Sequence, residues 1–224
     1  MGTISPLASF SSAAKPSLLQ IGGSIPAQPH KDDEGLEKDA WLREGLHSGY
    51  EFVEAVGHSP GAAGIAGLGA LASGIAWVGP TFQSLRDGIK NRDAELLVKG
   101  TSGLGVTVAS FSDAILLAGE VAESRGGALG KLSEAIAPAS PVFTAAAAIG
   151  QTLHGVVDAG FGIHEIVEGV KGKDRTKIID GALEIGMGVG AAMIGVSFHP
   201  AIGASAQLLS YLAKTAHQVL RDRA

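Results

Sequence analysis

The chain has 224 residues, of which 17% are charged, with a formal net charge of −5 and no cysteine. Its Lys and Arg residues form no polybasic block, which argues against a nucleic-acid partner because such binding relies on clustered basic side chains. The absence of cysteine excludes disulfides and thiolate chemistry. The 33 glycines and the mean hydropathy of +0.27 indicate apolar segments rich in small residues.

The N-terminal segment, residues 1–34, is rich in Ser, Ala, Pro and Gly and has no sustained hydrophobic period. This composition predicts a disordered leader, because it offers little apolar surface to offset the entropy of ordering. An abrupt run of charged residues closes the segment at 31–34.

The first predicted helix follows this leader. Apolar residues recur there at intervals of three and four, and polar residues stand between them, which is typical of an amphipathic helix. Ser59 and Pro60 end it. The apolar positions are Leu42, Leu46, Tyr50 and Val53, with Arg43, Glu44, Glu51 and Glu54 between them.

A second predicted helix is apolar throughout, since residues 61–79 contain no charged residue. Its small residues lie four apart on one face, a pattern that lets helix backbones approach closely and is common in membrane helices. Trp77 stands at its end, where a residue of an interfacial aromatic belt is expected. We therefore predict a helix-packing or membrane-facing surface at Ala62, Ala66, Ala70, Gly74 and Trp77.

The two halves of the chain are similar at a constant offset of 81 residues, which takes Ser59 to Ser140 and Asp93 to Asp174. The pattern predicts an all-α tandem duplication of a Gly/Ala-rich helical-hairpin unit of roughly 80 residues. In each unit a short charged turn, at 91–93 and 172–174, joins two antiparallel helices. The predicted domains are the leader 1–34, repeat 1 at 35–120, and repeat 2 with a capping helix at 121–224.

Two segments are long and apolar enough to span a bilayer, which needs about 20 residues. They are residues 61–79 and 185–213. Ala182, Gly186 and Gly190 lie four apart around the start of the second segment, and we predict that they form another helix-packing or membrane-facing stripe. The segments that contain Asp113 and Asp158 are expected to be amphipathic instead. A soluble bundle with apolar central helices remains an equal alternative.

Candidate chemistry is sparse. Gly186, Gly188 and Gly190 sit within a helical period and lack the strand–turn–helix context of a dinucleotide site. His154 and Asp158 are four apart and of a type that binds metals, but an intrahelical hydrogen bond on the wetter side of the helix is the favoured interpretation. The sequence therefore predicts a non-enzymatic protein with no cofactor or metal, and an enzyme site near residues 154–164 is the third hypothesis.

The leader MGTISPLASFSSAAKPSLLQIGG resembles the uncleaved, Ser-rich N-termini of type III secreted effectors and translocators of Gram-negative bacteria. This resemblance implies delivery into a host cell and action on a membrane or a host protein. The first hypothesis is a secreted, membrane-associating helical protein that inserts residues 61–77 and 185–212 into lipid. Whether such a protein forms homo-oligomers is left open by the sequence. The alternative is a soluble helical-repeat protein that binds a partner protein, located in the bacterial cytoplasm or inner membrane.

Overall fold

The computed structural model describes residues 33–197 and 199–223, and these residues contain helices and turns but no strand. Six helices have 21 residues or more and one has ten. They are α1 (Asp33–Val56), α2 (Pro60–Asn91), α3 (Ala94–Arg125), α4 (Gly127–Ile136), α5 (Ser140–Gly172), α6 (Arg175–Gly195) and α7 (Pro200–Arg221), with a 3-10 turn at Ala137–Ala139 before α5.

The six long helices form a closed antiparallel ring in the order α1, α2, α3, α5, α6, α7. The closure between the last helix and the first is visible in single contacts, since Trp41 of α1 donates its indole N–H to Thr215 of α7 and Tyr211 donates to the carbonyl of Trp41. The short α4 packs on α3 at the rim. All-α architecture is therefore confirmed for the described residues.

The two long hairpins, α2–α3 and α5–α6, close with the same turn geometry. Arg92 and Lys173 adopt the left-handed conformation, with φ of 54° and 56°. Asp93 and Asp174 follow, and each side chain accepts hydrogen bonds from two backbone N–H groups of the next helix. The short charged turns are confirmed, and the left-handed residue in each of them is a basic one.

The predicted division at residue 120 lies inside α3, and the halves join into one ring because α3 packs on α5 and α1 packs on α7. The second helices also differ in length, with 32 residues in α3 and 21 in α6. The duplication therefore stays a prediction. Most of the predicted leader, residues 1–32, lies outside the described residues.

Glycines face each other where neighbouring helices approach most closely. A Cβ placed on Gly150 of α5 would lie 2.3 Å from the carbonyl oxygen of Gly105 in α3, and one placed on Gly155 would lie 2.3 Å from that of Gly188 in α6. The α6–α7 contact at Gly190 and Gly203 is similar. Backbones this close leave no room for a side chain, which explains why the helices retain residues that disfavour helices in water.

Four helical segments are long and apolar enough to cross a membrane: α2, α3, the stretch Gly127–Gly172 and α6. Two of them contain Asp113 or Asp158, and both carboxylates are buried. The predicted long span 185–212 is instead interrupted, because α6 ends at Gly195 and α7 begins at Pro200.

Candidate functional site

The distribution of polarity in the bundle is inverted relative to a water-soluble protein. The largest fully buried side chains are His47 and Gln207, and the remaining ones are mostly serines. Large aliphatic side chains point outward, as in Leu68 at 71% exposed and Ile149 at 69%. Isolated exposed aliphatic residues are ordinary, but here they cover the outer faces of α2, α5 and α7, while polar side chains are as common as apolar ones among the buried residues.

The inward face of α1 supplies the middle of this polar interior. Its Tyr50 hydroxyl donates to Asp113 of α3 at 3.1 Å and lies 3.3 Å from the hydroxyl of Ser110. Ser110 in turn donates to Ser73 of α2 at 3.2 Å, and Ser73 lies 3.5 Å from Nδ1 of His47. The four side chains Tyr50, Ser110, Ser73 and His47 thus link three helices through buried polar contacts.

The same histidine continues the network toward α5. His47 Nε2 lies 3.2 Å from Glu51 Oε1, and both side chains are buried. The Gln151 amide donates to the same carboxylate. The second oxygen of Glu51 and the carbonyl oxygens of Gln151 and Gln207 are buried without a hydrogen-bond partner in the described structure. Unsatisfied buried acceptors of this kind require water or a ligand, because leaving them unpaired is costly.

A second polar cluster lies nearer the end that carries the two charged turns. His154 Nε2 is 3.2 Å from Asp158 Oδ2, and both side chains are buried. Ser102 of α3 lies 2.9 Å from His154 Nδ1 and donates to Asp158 Oδ1 at 3.4 Å. A carboxylate oxygen of Glu44 joins the group, since one ligand atom each of Glu44, His154 and Asp158 lies within 4.8 Å of the others.

Two cavities approach these clusters from opposite ends of the bundle, and a third, of about 760 Å³, reaches Glu44 beside Tyr211 and Lys214. One has a volume of about 700 Å³, opens near Glu120 and Glu123, and reaches Glu51, Asp113 and Gln151. The other, of about 400 Å³, opens near the charged turns and reaches Glu44, Ser102 and Asp158. The rings of His47 and His154, 5.4 Å apart, lie between them. The arrangement places titratable and hydrogen-bonding groups along the long axis of the bundle.

The small-residue stripe of α2 faces inward. Ala66 and Ala70 are fully buried, Gly74 is buried against the ring of Phe111, and Ala62 is partly buried. The opposite face of the helix carries the exposed residues Ile65, Leu68 and Ile75. The side chains therefore separate cleanly into small residues at helix contacts and large apolar residues outside.

The other residues of the predicted packing or membrane-facing surfaces differ from one another in their exposure. Gly190 is buried at the contact with α7, Gly186 is partly buried near Ser210, and Ala182 is exposed. Trp77 differs from the predicted interfacial position. Its ring lies inside the bundle, 5.3 Å from the Arg43 guanidinium and 6.1 Å from the His154 ring.

The sequence analysis did not single out His47, and it placed Glu51 only among the polar residues of an amphipathic helix. The signal was present as a repeated spacing, because His47–Glu51, His154–Asp158 and His164–Glu168 are all i, i+4 pairs. The predicted contact between His154 and Asp158 exists, but it is buried rather than on a wet face. His154 and His164 are not brought together, since the second side chain is 70% exposed.

Comparisons with protein-family models, with curated proteins and with solved structures give no match for this chain.

Proposed function

We propose that the chain is a membrane-embedded helical bundle whose polar interior carries protons or small cations between the two end cavities. The observation that carries the proposal is the inverted polarity, with aliphatic side chains outside and His, Glu, Asp and Gln side chains inside. Hydrocarbon is the environment in which such an exterior is favourable, and ionisable groups within a membrane bundle are by default functional.

The charges along α2, α3, α5, α6 and α7 define an apolar slab, which α1, with nine charged residues, does not share. Residues 60–81, 100–119, 140–163, 181–196 and 200–213 contain only three charged residues, Asp113, Asp158 and Glu184. The first two are buried, and Glu184 pairs with Lys214 of α7. The helices of 32 or 33 residues are about 48 Å long at 1.5 Å per residue. They therefore exceed the hydrocarbon core of about 30 Å, and their charged ends project beyond it.

The interior of the bundle supplies polar groups along which a proton can move, which the hydrocarbon of the membrane does not. Glu51 and Asp113 face the cavity at one end, Asp158 and Glu44 face the cavity at the other, and the His47 and His154 rings lie between. Histidine and carboxylate side chains within hydrogen-bonding reach of one another or of water are the groups from which proton relays in membrane proteins are built. No further cofactor is needed for this activity, so the proposal describes a non-enzymatic protein.

Reconstitution tests the proposal. Vesicles loaded with a pH-sensitive dye and containing the protein should lose an imposed pH gradient faster than empty vesicles. Glu51→Gln preserves shape and removes a titratable group from the path, so it should slow this decay. Glu134→Gln, an exposed position on α4 that lines neither cavity, is the matched control and should conduct like the wild type. Decay equal to that of empty vesicles, with the protein shown to be inserted, would contradict the transport function.

A soluble bundle covered by a partner protein is the second candidate. It is favoured by α1 and α7, which complete the ring but are not among the segments apolar enough to span a membrane. Flotation with liposomes separates the two functions, because only the membrane protein should move with lipid into the light fractions. A protein that stays in the aqueous fraction as a complex with another polypeptide would favour the partner-bound form.

We also propose that the protein is delivered by a type III secretion system, which is supported by the composition of residues 1–34. A separate proposal is that the α2–α3 and α5–α6 hairpins arose by duplication, which is supported by their matching turns. The hairpins run in the same direction along the bundle, as in parallel membrane-protein repeats. Deletion of residues 1–32 should abolish transfer of a fused reporter into host cells while leaving the helical circular dichroism signal unchanged. Transfer by the deleted chain would contradict the delivery proposal.

A further inference from the structure

We propose that Glu44, His154 and Asp158 form a binding site for a divalent transition-metal ion, with Zn²⁺ as the best-fitting candidate. The inference deepens the proposed function by naming a cation for the interior. Metal binding itself requires only the folded bundle and not transport. One imidazole nitrogen and two carboxylate oxygens, with a fourth position open to a cavity, are a ligand set that Zn²⁺ accepts.

The distances suit this coordination. In a tetrahedral site with bonds of about 2.0–2.1 Å, neighbouring ligand atoms lie about 3.3 Å apart. His154 Nε2 and Asp158 Oδ2 are 3.2 Å apart. Glu44 is the looser member, within 4.8 Å of both, and its partly buried side chain stands at the cavity where it has room to rotate.

Ser102 gives the histidine the orientation that a metal ligand needs. The Ser102 hydroxyl lies 2.9 Å from His154 Nδ1 and 3.4 Å from Asp158 Oδ1, and these two contacts hold the imidazole ring and the carboxylate in place. His154 Nε2 lies 3.2 Å from the carboxylate oxygen Asp158 Oδ2. A metal ion that binds both Nε2 and Oδ2 would take the place of the proton between these two atoms. Hydrogen bonds that fix the other nitrogen of a ligating histidine are a general property of metal sites.

The surroundings add two independent observations. The cavity that reaches Ser102 and Asp158 is lined by five carboxylates and three Lys or Arg side chains, so that oxygen ligands are plentiful beside the cluster. Thr81 lines the same cavity, is only 2% exposed, and its hydroxyl has no hydrogen-bond partner in the described structure. A metal-bound water would give that hydroxyl a partner.

The test is metal binding by the full chain in detergent after removal of the affinity tag. Isothermal titration with Zn²⁺ should give one site per chain, and Co²⁺ should give the visible absorption of a site with nitrogen and oxygen ligands. Glu44→Gln and Asp158→Asn should each weaken binding more than about tenfold, and Ser102→Ala by about tenfold. The double variant His164→Gln, Glu168→Gln is the matched control, because it removes an exposed pair of the same spacing from the same helix.

The outcomes of these experiments distinguish failure of the metal site from failure of the proposed function. Equal loss of binding in the control variant, or no stoichiometric Zn²⁺ and no Co²⁺ spectrum from the folded wild type, would overturn the site. Should Asp158→Asn fail to fold by circular dichroism, Glu44→Gln decides, since that side chain stands at the cavity. Vesicles that conduct protons while the protein binds no metal would leave the proposed function standing without this site. Metal binding by a protein that does not insert into lipid would support this site and contradict the proposed membrane function.

Discussion

The close approach of α5 and α6 makes a sharp prediction for two glycines of one helix. Gly155 is buried, and a Cβ there would meet Gly188 O at 2.3 Å, Ala192 N at 2.5 Å and Ala192 Cα at 3.0 Å. All three atoms belong to the backbone, so no side chain can move aside. Gly160, on the exposed side of the same helix, has nothing within 4 Å of such a Cβ.

The magnitudes follow from these contacts. Gly160→Ala should stabilise the protein by up to about 1 kcal/mol, the difference in helix propensity between the two residues. Gly155→Ala gains the same propensity but forces the two helices apart, and overpacking costs about 1–3 kcal/mol. The two variants should therefore differ by about 1–3 kcal/mol in the free energy of unfolding, measured by denaturant titration in detergent with circular dichroism. Equal effects of the two substitutions would refute the close packing of α5 on α6.

Three other predictions concern the fold and its placement. The double variant Ala66→Leu, Ala70→Leu should have a free energy of unfolding lower by more than about 2 kcal/mol, because both sites are fully buried. The double variant Leu68→Ala, Ile75→Ala changes the exposed face of the same helix. It should bind liposomes more weakly and unfold in detergent nearly as the wild type does. Asp93→Ala and Asp174→Ala should each lower stability by about 1 kcal/mol through loss of the N-cap; no change in either would contradict the cap geometry. Basic residues concentrate at the end with the two turns, so single cysteines at Gly172 and Ala128 should be labelled by an impermeant maleimide from the cytoplasmic and the opposite side respectively.

Local sequence patterns predicted the helical elements well. The Ser59–Pro60 break and the charged turns at 91–93 and 172–174 were readable because capping residues and glycines act within a few positions of where they stand. The small-residue stripe at Ala66 and Ala70 indicated close packing for the same reason.

The polar interior was not predictable in this way. His47 and Glu51 lie on the polar face of an amphipathic helix, and periodicity cannot say whether such a face meets water or the centre of an inverted bundle. Asp113 and His154 are far apart in sequence and come together with α1 only through closure of the ring. The position of Trp77 also depended on this closure, since its partners Arg43 and His154 belong to two other helices.

The central claim is that the aliphatic outer surface faces lipid. The chain contains no cysteine, so nitroxide labels can be attached at single introduced cysteines without other changes. In reconstituted vesicles, labels at Leu68→Cys and Ile149→Cys should collide with oxygen, which dissolves in hydrocarbon, far more than with a water-soluble nickel chelate. A label at Lys173→Cys should show the opposite preference. Greater accessibility of positions 68 and 149 to the nickel chelate than to oxygen would place that surface in water and contradict the account.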